Sequence, residues 1–340
     1  MKKKDFIVLC LLGFACGVNA QVDRTPEIHG TLRGKYEYQT EDNEGRFEVR
    51  NARVSINGKI IDAVSYKAEV DLCNEGEIKM LDAYTRITPI RNFSFTIGQM
   101  RVPFTIDAHR SPHLQYFANR SFIAKQVGNV RDVGATFAYN LNVGFPIKLE
   151  AGLFNGSGLT DQKDYWSNSI NFSAKAQFML PRGYNITLST QKIKPGKFDV
   201  MMYDIGAYYN SRRWHIEAEY LFKHYGNGSF KDVHAIDAFV NYDIPLRRGL
   251  FSKISPLVRY DYMGDHSNGR GYIDGEEHED GSLIINDYER HRVTAGLTFS
   301  FSKPFISDIR LNFEKYFYRD GAIPKVSEKD KIVLEVMTRF

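Results

Sequence analysis

The stretch Ile28–Gln39 reads IHGTLRGKYEYQ. Ile28, Gly30, Leu32, Gly34, Tyr36 and Tyr38 fall on one side of an extended chain, and His29, Thr31, Arg33, Lys35, Glu37 and Gln39 on the other. Strand side chains alternate between faces, whereas a helix would repeat at three and four residues. The segment is therefore a strand with one apolar and one charged face. The same period of two returns at Val64–Leu72, Ser169–Phe178 and Arg292–Phe301. A helix fits poorly almost everywhere, so the fold class is all-β.

A soluble sandwich alternates as well, but three features favour a bilayer. The alternating runs extend over roughly 10 to 13 residues, against about 5 to 6 for soluble strands. Short connections near 60–63, 88–92, 142–146, 180–184 and 211–213 alternate with longer ones at 101–128, 155–167, 264–289 and 319–330. Short turns at one end and long loops at the other are the wiring of outer-membrane barrels. The last run places Ile332, Leu334, Val336, Thr338 and the terminal Phe340 on one face. A terminal aromatic of this kind is the mark the barrel-assembly machinery reads. The length accommodates about sixteen strands, which leave an aqueous channel where eight would be filled by side chains. The reading is a transmembrane antiparallel β-barrel of the bacterial outer membrane.

Residues 1–20 read as a signal peptide: Lys2, Lys3 and Lys4, a short apolar run, then Val18-Asn19-Ala20. This leaves 21–340 as one barrel domain with no room for a plug domain before Ile28. Lys2–Lys4 and Asp5 lie in that signal, so of the formal charge of +4 about half stays with the mature chain. That is too weak a bias for a nucleic-acid partner. Cys10 and Cys16 leave with the signal, and Cys73 alone forms neither an intramolecular disulfide nor a cysteine metal cluster. The nine His are scattered, and neither Gly-x-Ser-x-Gly nor His-Glu-x-x-His occurs. No enzyme activity, catalytic residue, metal or cofactor is expected. The acidic run Asp274–Asp280 lacks the ordered spacing of a calcium loop and reads as a solvated loop tip.

Between Arg50 and Arg131 the sequence becomes more specific. Arg50-Asn-Ala-Arg53, Ser65–Asp71, Leu81–Arg86, Ile97-Gly-Gln-Met-Arg-Val-Pro-Phe104, Phe117-Ala-Asn-Arg-Ser121 and Arg131-Asp-Val-Gly134 together resemble the phosphate-selective porin O/P family. The resemblance implies a sixteen-stranded trimeric porin whose third extracellular loop, here 105–128, folds inward and constricts the channel. It implies passive passage of small anions such as phosphate. The alternative is a general diffusion porin, or a structural barrel without anion selectivity. The remaining partners implied are outer-membrane lipid and lipopolysaccharide.

Within that resemblance, Arg50 and Arg53 lie on the strand that carries wall arginines, Arg120 matches the arginine closing the constriction loop, and His113 with Arg110 falls where the family places a loop lysine. Asn119 stands where an acid often precedes the closing arginine. Arg101 and Lys125 bracket the loop, and parity turns Arg86 into the lumen. Arginine offers a planar, permanently charged fork to oxyanions, and rings of such charges select anions. Acids are also plentiful on the inner face, from Glu37 and Glu69 to Glu314 and Glu335. Paired charges that keep the wall rigid are thus the competing reading for each arginine. Ser173 and Thr298, inward by parity, are expected to face water, and their neighbours Ala174 and Leu297 to face lipid.

Overall fold

The computed structural model describes residues 24–340 except 75, 128–129, 160–164, 195–198, 227–229, 267–286, 303–305, 320 and 325. The signal-peptide expectation and the acidic run Asp274–Asp280 lie outside the described residues. The first strands are β1 (Glu27–Gln39), β2 (Glu44–Ile61), β3 (Val64–Asn74), β4 (Glu77–Ile90), β5 (Phe93–Arg101), β6 (Arg131–Asn142), β7 (Pro146–Phe154), β8 (Asn171–Met179) and β9 (Tyr184–Ile193). Then follow β10 (Val200–Asn210), β11 (Trp214–Tyr225), β12 (Val233–Tyr242), β13 (Ile244–Pro245), β14 (Phe251–Met263), β15 (Arg290–Phe301), β16 (Ile306–Tyr318) and β17 (Lys331–Arg339). Each pairs antiparallel with its neighbour, and β17 returns to β1, so the sheet closes. β13 only prolongs β12, and the wall has sixteen staves. Pro256 explains that split. It has no N–H to donate, and the ladder is interrupted beside it, between Asn241–Leu257 and Ile244–Ile254. Asp243 fills the gap, accepting from Asn241 at 2.9 Å and from Lys253 and Ser255 at 2.7 Å.

Closure matters because a bilayer offers no water to an open strand edge. At the seam Phe340 and Gly30 exchange backbone hydrogen bonds of 2.8 and 3.1 Å. A Cβ at Gly30 would sit 2.3 Å from the Phe340 ring that lies over it, so a larger residue there would push the ring aside.

Alternation places side chains as the sequence implied. Leu32, Val54, Ile97, Leu297, Leu311, Leu334 and Val336 are exposed on the outer face, while Arg33, Glu37, Asp71, Asp204, Glu219, Asp261, Arg292, Glu314 and Glu335 are buried on the inner one. A bulge alters the parity of β2. Arg33 pairs with Asn51 but Gly34 pairs with Val49, which leaves Arg50 as the extra residue. Beyond the bulge Glu48 and Arg46 take inner positions opposite Lys35 and Glu37. Arg46, Arg50 and Arg53 thus share the lumen side of one strand.

The inner face is not uniformly wet. Ser173 is 1 % exposed, and its hydroxyl donates to the Pro103 carbonyl at 2.7 Å. The segment crossing the lumen covers it. Thr298 borders an open cavity of about 350 Å³. Arginine at Ala174 or Leu297 should cost about 2–4 kcal/mol near the midplane. Thr298→Arg should cost far less, whereas Ser173→Arg should destabilise because it displaces Pro103. Urea unfolding from lipid vesicles distinguishes these cases, and equal stabilities for Leu297→Arg and Thr298→Arg would contradict the assigned faces.

Candidate functional site

The connection between β5 and β6 runs through the barrel rather than over it. Its backbone polar groups must find partners on the wall, since buried ones left unpaired are costly. Ser189 accepts from Thr105 N–H at 3.0 Å, and Glu219 accepts from the N–H groups of Ile106 and, at 3.3 Å, Asp107. Asn312 accepts from Ala118 at 2.8 Å and Asp261 from Phe122 at 3.2 Å. The segment's carbonyls are served as well. Lys175 donates to Thr105, Arg33 to Ala118 at 2.7 Å, Arg259 to Asn119 at 3.1 Å and Arg292 to Arg120 at 2.8 Å.

A one-turn helix, Phe122–Gln126, adds apolar anchorage. Ser121 caps it by accepting from Ala124 N–H at 3.1 Å. Phe122, Ile123, Ala124 and Val127 pack with Val102 and Phe104 against Ile193, Val200, Met202, Leu221, Val233, Ala235 and Met263. These wall residues share the inner parity of Gln191, Asp204, Glu219, Asp237 and Asp261. Burying Phe122 and Ile123, both 0 % exposed, contributes about 1.5–3 kcal/mol each. Arg292, fully buried between Asp261 at 2.8 Å and Glu314 at 3.4 Å, lies 4.7 Å over the Phe122 ring. At the level of this segment the β9–β14 side of the lumen is therefore filled.

The candidate residues divide by what their charges touch. Arg110 pairs with Glu217 at 2.5 Å and Asp107 at 3.2 Å. Arg120 donates to the carbonyls of Asp107 at 2.6 Å and Arg110 at 2.9 Å, and Arg101 to that of His109 at 3.0 Å. Both guanidinium groups staple one turn of the crossing segment. Lys125 reaches Glu328 at 3.5 Å. Arg53 bonds Asp71 at 2.9 Å, Arg50 lies 3.6 Å from Glu48, and Arg86 donates to Thr96 at 3.1 Å. His113 accepts from Arg339 at 2.8 Å through Nδ1. Burial, and then the Arg339 charge, lowers its imidazole to about 4. It is a neutral acceptor at neutral pH rather than a cation.

Among the described residues, open space lies against β1–β4 and β17, and again beside Thr298 against β12 and β14–β16. A cavity of about 160 Å³ is lined by Arg53, Lys67 and Arg339, by the hydroxyls of Thr31, Ser55 and Ser111, and by one acid, Glu69. It shares Asn57 and Lys67 with a wider chamber of about 850 Å³ that includes Arg86 and Lys59. His113 also borders the cavity beside Thr298, so it partitions the two. On the other side of Arg53, Arg50 and Arg46 line the same strand, with side chains 38 % and 60 % exposed. Strand parity alone turns Arg339 into the lumen, whereas Arg46 was not among the candidates, because the bulge hid it.

Residues 27–190 match the family model described as phosphate-selective porin O and P. Among curated protein sequences none matches the chain. The barrel is similar to the outer membrane channel DcaP of Acinetobacter baumannii, with 14 % identity over 96 % of this chain and 100 % of that one, and a TM-score of 0.62. It is similar to the trimer form of OmpT of Vibrio cholerae (12 %, 93 % and 98 % coverage, TM-score 0.61). It is also similar to an anion-selective porin from Comamonas acidovorans (12 %, 93 % and 99 % coverage, TM-score 0.59).

Asp107 links the loop's staples, accepting from Ser121 N–H at 3.1 Å and its hydroxyl at 2.8 Å. Burial pushes its carboxyl upward, but Arg110, Arg120 and Arg259 outweigh burial and hold it at about 2. A depressed carboxyl stabilises the folded segment above its unfolded value of about 3.9 and loses that contribution as pH falls through the folded value. Protease resistance of the crossing segment should therefore fall between pH about 4 and 2 in the parent. Asp107→Asn should be less resistant at neutral pH and show no such acid step; an unchanged step would remove Asp107 from this role.

Proposed function

We propose, from a chain that belongs to the phosphate-selective porin O and P family and is an outer-membrane porin, that its lumen passes small anions, phosphate among them, along the β2 wall. The observation that carries this is the cavity walled by Arg53, Lys67, Arg339, Thr31, Ser55 and Ser111. Guanidinium forks, an ammonium group and hydroxyls offer donors from several directions, as a tetrahedral oxyanion requires. The volume allows for an oxyanion with some of its water, a water occupying about 30 Å³. Rejecting cations requires that inner acids be masked. Three acids of β11 and β14 meet the crossing segment: Glu217 pairs with Arg110, and Glu219 and Asp261 accept its N–H groups. A charge in a narrow, weakly screened passage acts more strongly than the same charge in open water.

The filled β9–β14 side favours a narrow selective path over a wide general diffusion pore. The subunits are taken to assemble as trimers, as the Vibrio cholerae relative does in its trimer form.

The test is the reversal potential in a planar bilayer under a salt gradient, with phosphate block of the chloride current measured alongside. The parent should prefer anions. Arg53→Gln with Arg339→Gln should move the preference toward cations and weaken phosphate block. Arg110→Gln with Arg120→Gln should chiefly loosen the crossing segment, giving larger and noisier currents. A cation-preferring or unselective parent would rule out the anion reading.

A further inference from the structure

On the reading of an anion-passing lumen, we propose that Glu69 is a resident counter-ion seated where a permeating anion binds, and that it sets the anion preference of the pore by competing with that anion. Among the described residues, Glu69 of β3 is the one acid bordering the cavity. Its carboxylate accepts from Lys67 at 2.7 Å and Arg131 at 3.1 Å, and Arg53 Nη1 lies 3.5 Å away. These three cations come from β3, β6 and β2 and converge on a single carboxylate.

Arg53 Nη1 is buried and has no hydrogen-bond partner, although Nε of the same side chain is bonded to Asp71. A donor aimed at the seat and unsatisfied by Glu69 is one that a better-placed oxyanion would satisfy. The charges in the cluster balance. Arg53, Lys67 and Arg131 face Glu69, Asp71 and Asp82, and the last two are buried behind, with Asp82 bonded to Lys67 and Arg131 at 2.6 Å. Of these three acids only Glu69 borders the cavity, so among them only its charge contacts the passing ion directly. An anion entering beside Arg53 meets a like charge at contact range, which weakens its binding and permits release. A conducting site has to bind ions without trapping them. Glu69 therefore determines specificity by opposing the cations that attract the anion.

Glu69→Gln keeps the size of the side chain and an acceptor for Lys67 while removing the charge. In the bilayer assay its reversal potential should shift toward the chloride limit, and half-block by inorganic phosphate should need about five- to tenfold less phosphate, the effect of removing one like charge at contact distance. Glu69→Asp, which keeps the charge, should stay close to the parent. Glu150→Gln neutralises an inner acid of β7 outside the cavity, paired with Lys148 at 2.9 Å, and should shift neither quantity comparably. No shift in Glu69→Gln, an equal shift in Glu150→Gln, or Glu69→Asp behaving as Glu69→Gln would each overturn the proposal. The parent's own preference tests anion passage, and the difference between variant and parent tests Glu69, so the two failures are distinguishable.

Discussion

A polypeptide segment that crosses a channel carries backbone N–H and C=O groups into a place where few waters can serve them. In this barrel the wall supplies the partners. Ser189, Glu219, Asn312 and Asp261 accept from the segment, while Lys175, Arg33, Arg259 and Arg292 donate to it. The layout of the lumen depends on that fastening. The acids so engaged are removed from the ion path, and the apolar helix Phe122–Gln126 is held against the inner face of β9–β14. Part of the space left over lies against the cation-bearing strands β2 and β17. Selectivity then arises from which wall is covered rather than from an excess of positive charge in the chain.

Buried ion pairs are often poor stabilisers, because desolvation offsets their attraction. Here the pairs serve placement. Arg292 binds Asp261, stacks on Phe122 and donates to the Arg120 carbonyl. Removing it would leave Asp261 to Arg259 and the Phe122 N–H, and would take from the helix the cation stacked on Phe122. Arg101 and Arg120 act similarly on the turn Asp107–Arg110. Guanidinium groups suit both staples and anion forks, so residue type alone could not separate structural arginines from those that meet the solute.

Much of the architecture was legible because strand periodicity is a direct consequence of backbone geometry. Alternation placed Glu37, Asp71, Glu219, Asp261, Arg292, Glu314 and Glu335 on the inner face, where they are buried. It failed at Arg50, because a bulge inserts one residue that no composition marks. It also missed the apolar inner patch. The signal was present in Val200-Met-Met-Tyr203 and Tyr220-Leu-Phe222, where apolar residues occupy both faces, as expected of a strand covered on both sides. The role of Arg110 depends on the distant Glu217, and that of Arg120 on the fold of the loop that brings the Asp107 and Arg110 carbonyls to it, neither of which sequence motifs reveal.

An open path along β2 with the β9 side sealed makes the two walls differ in their access to a reagent dissolved in the channel. Single cysteines at Ser55 and at Thr187, in a protein whose Cys73 is replaced by Ser, test this most directly. Ser55 borders the cavity, and Thr187 points inward on β9 with no exposure. A negatively charged thiol reagent applied to the conducting channel should modify the cysteine at position 55 quickly and reduce the current, leaving the one at 187 unmodified. Rapid modification at 187 with protection at 55 would contradict a path along β2.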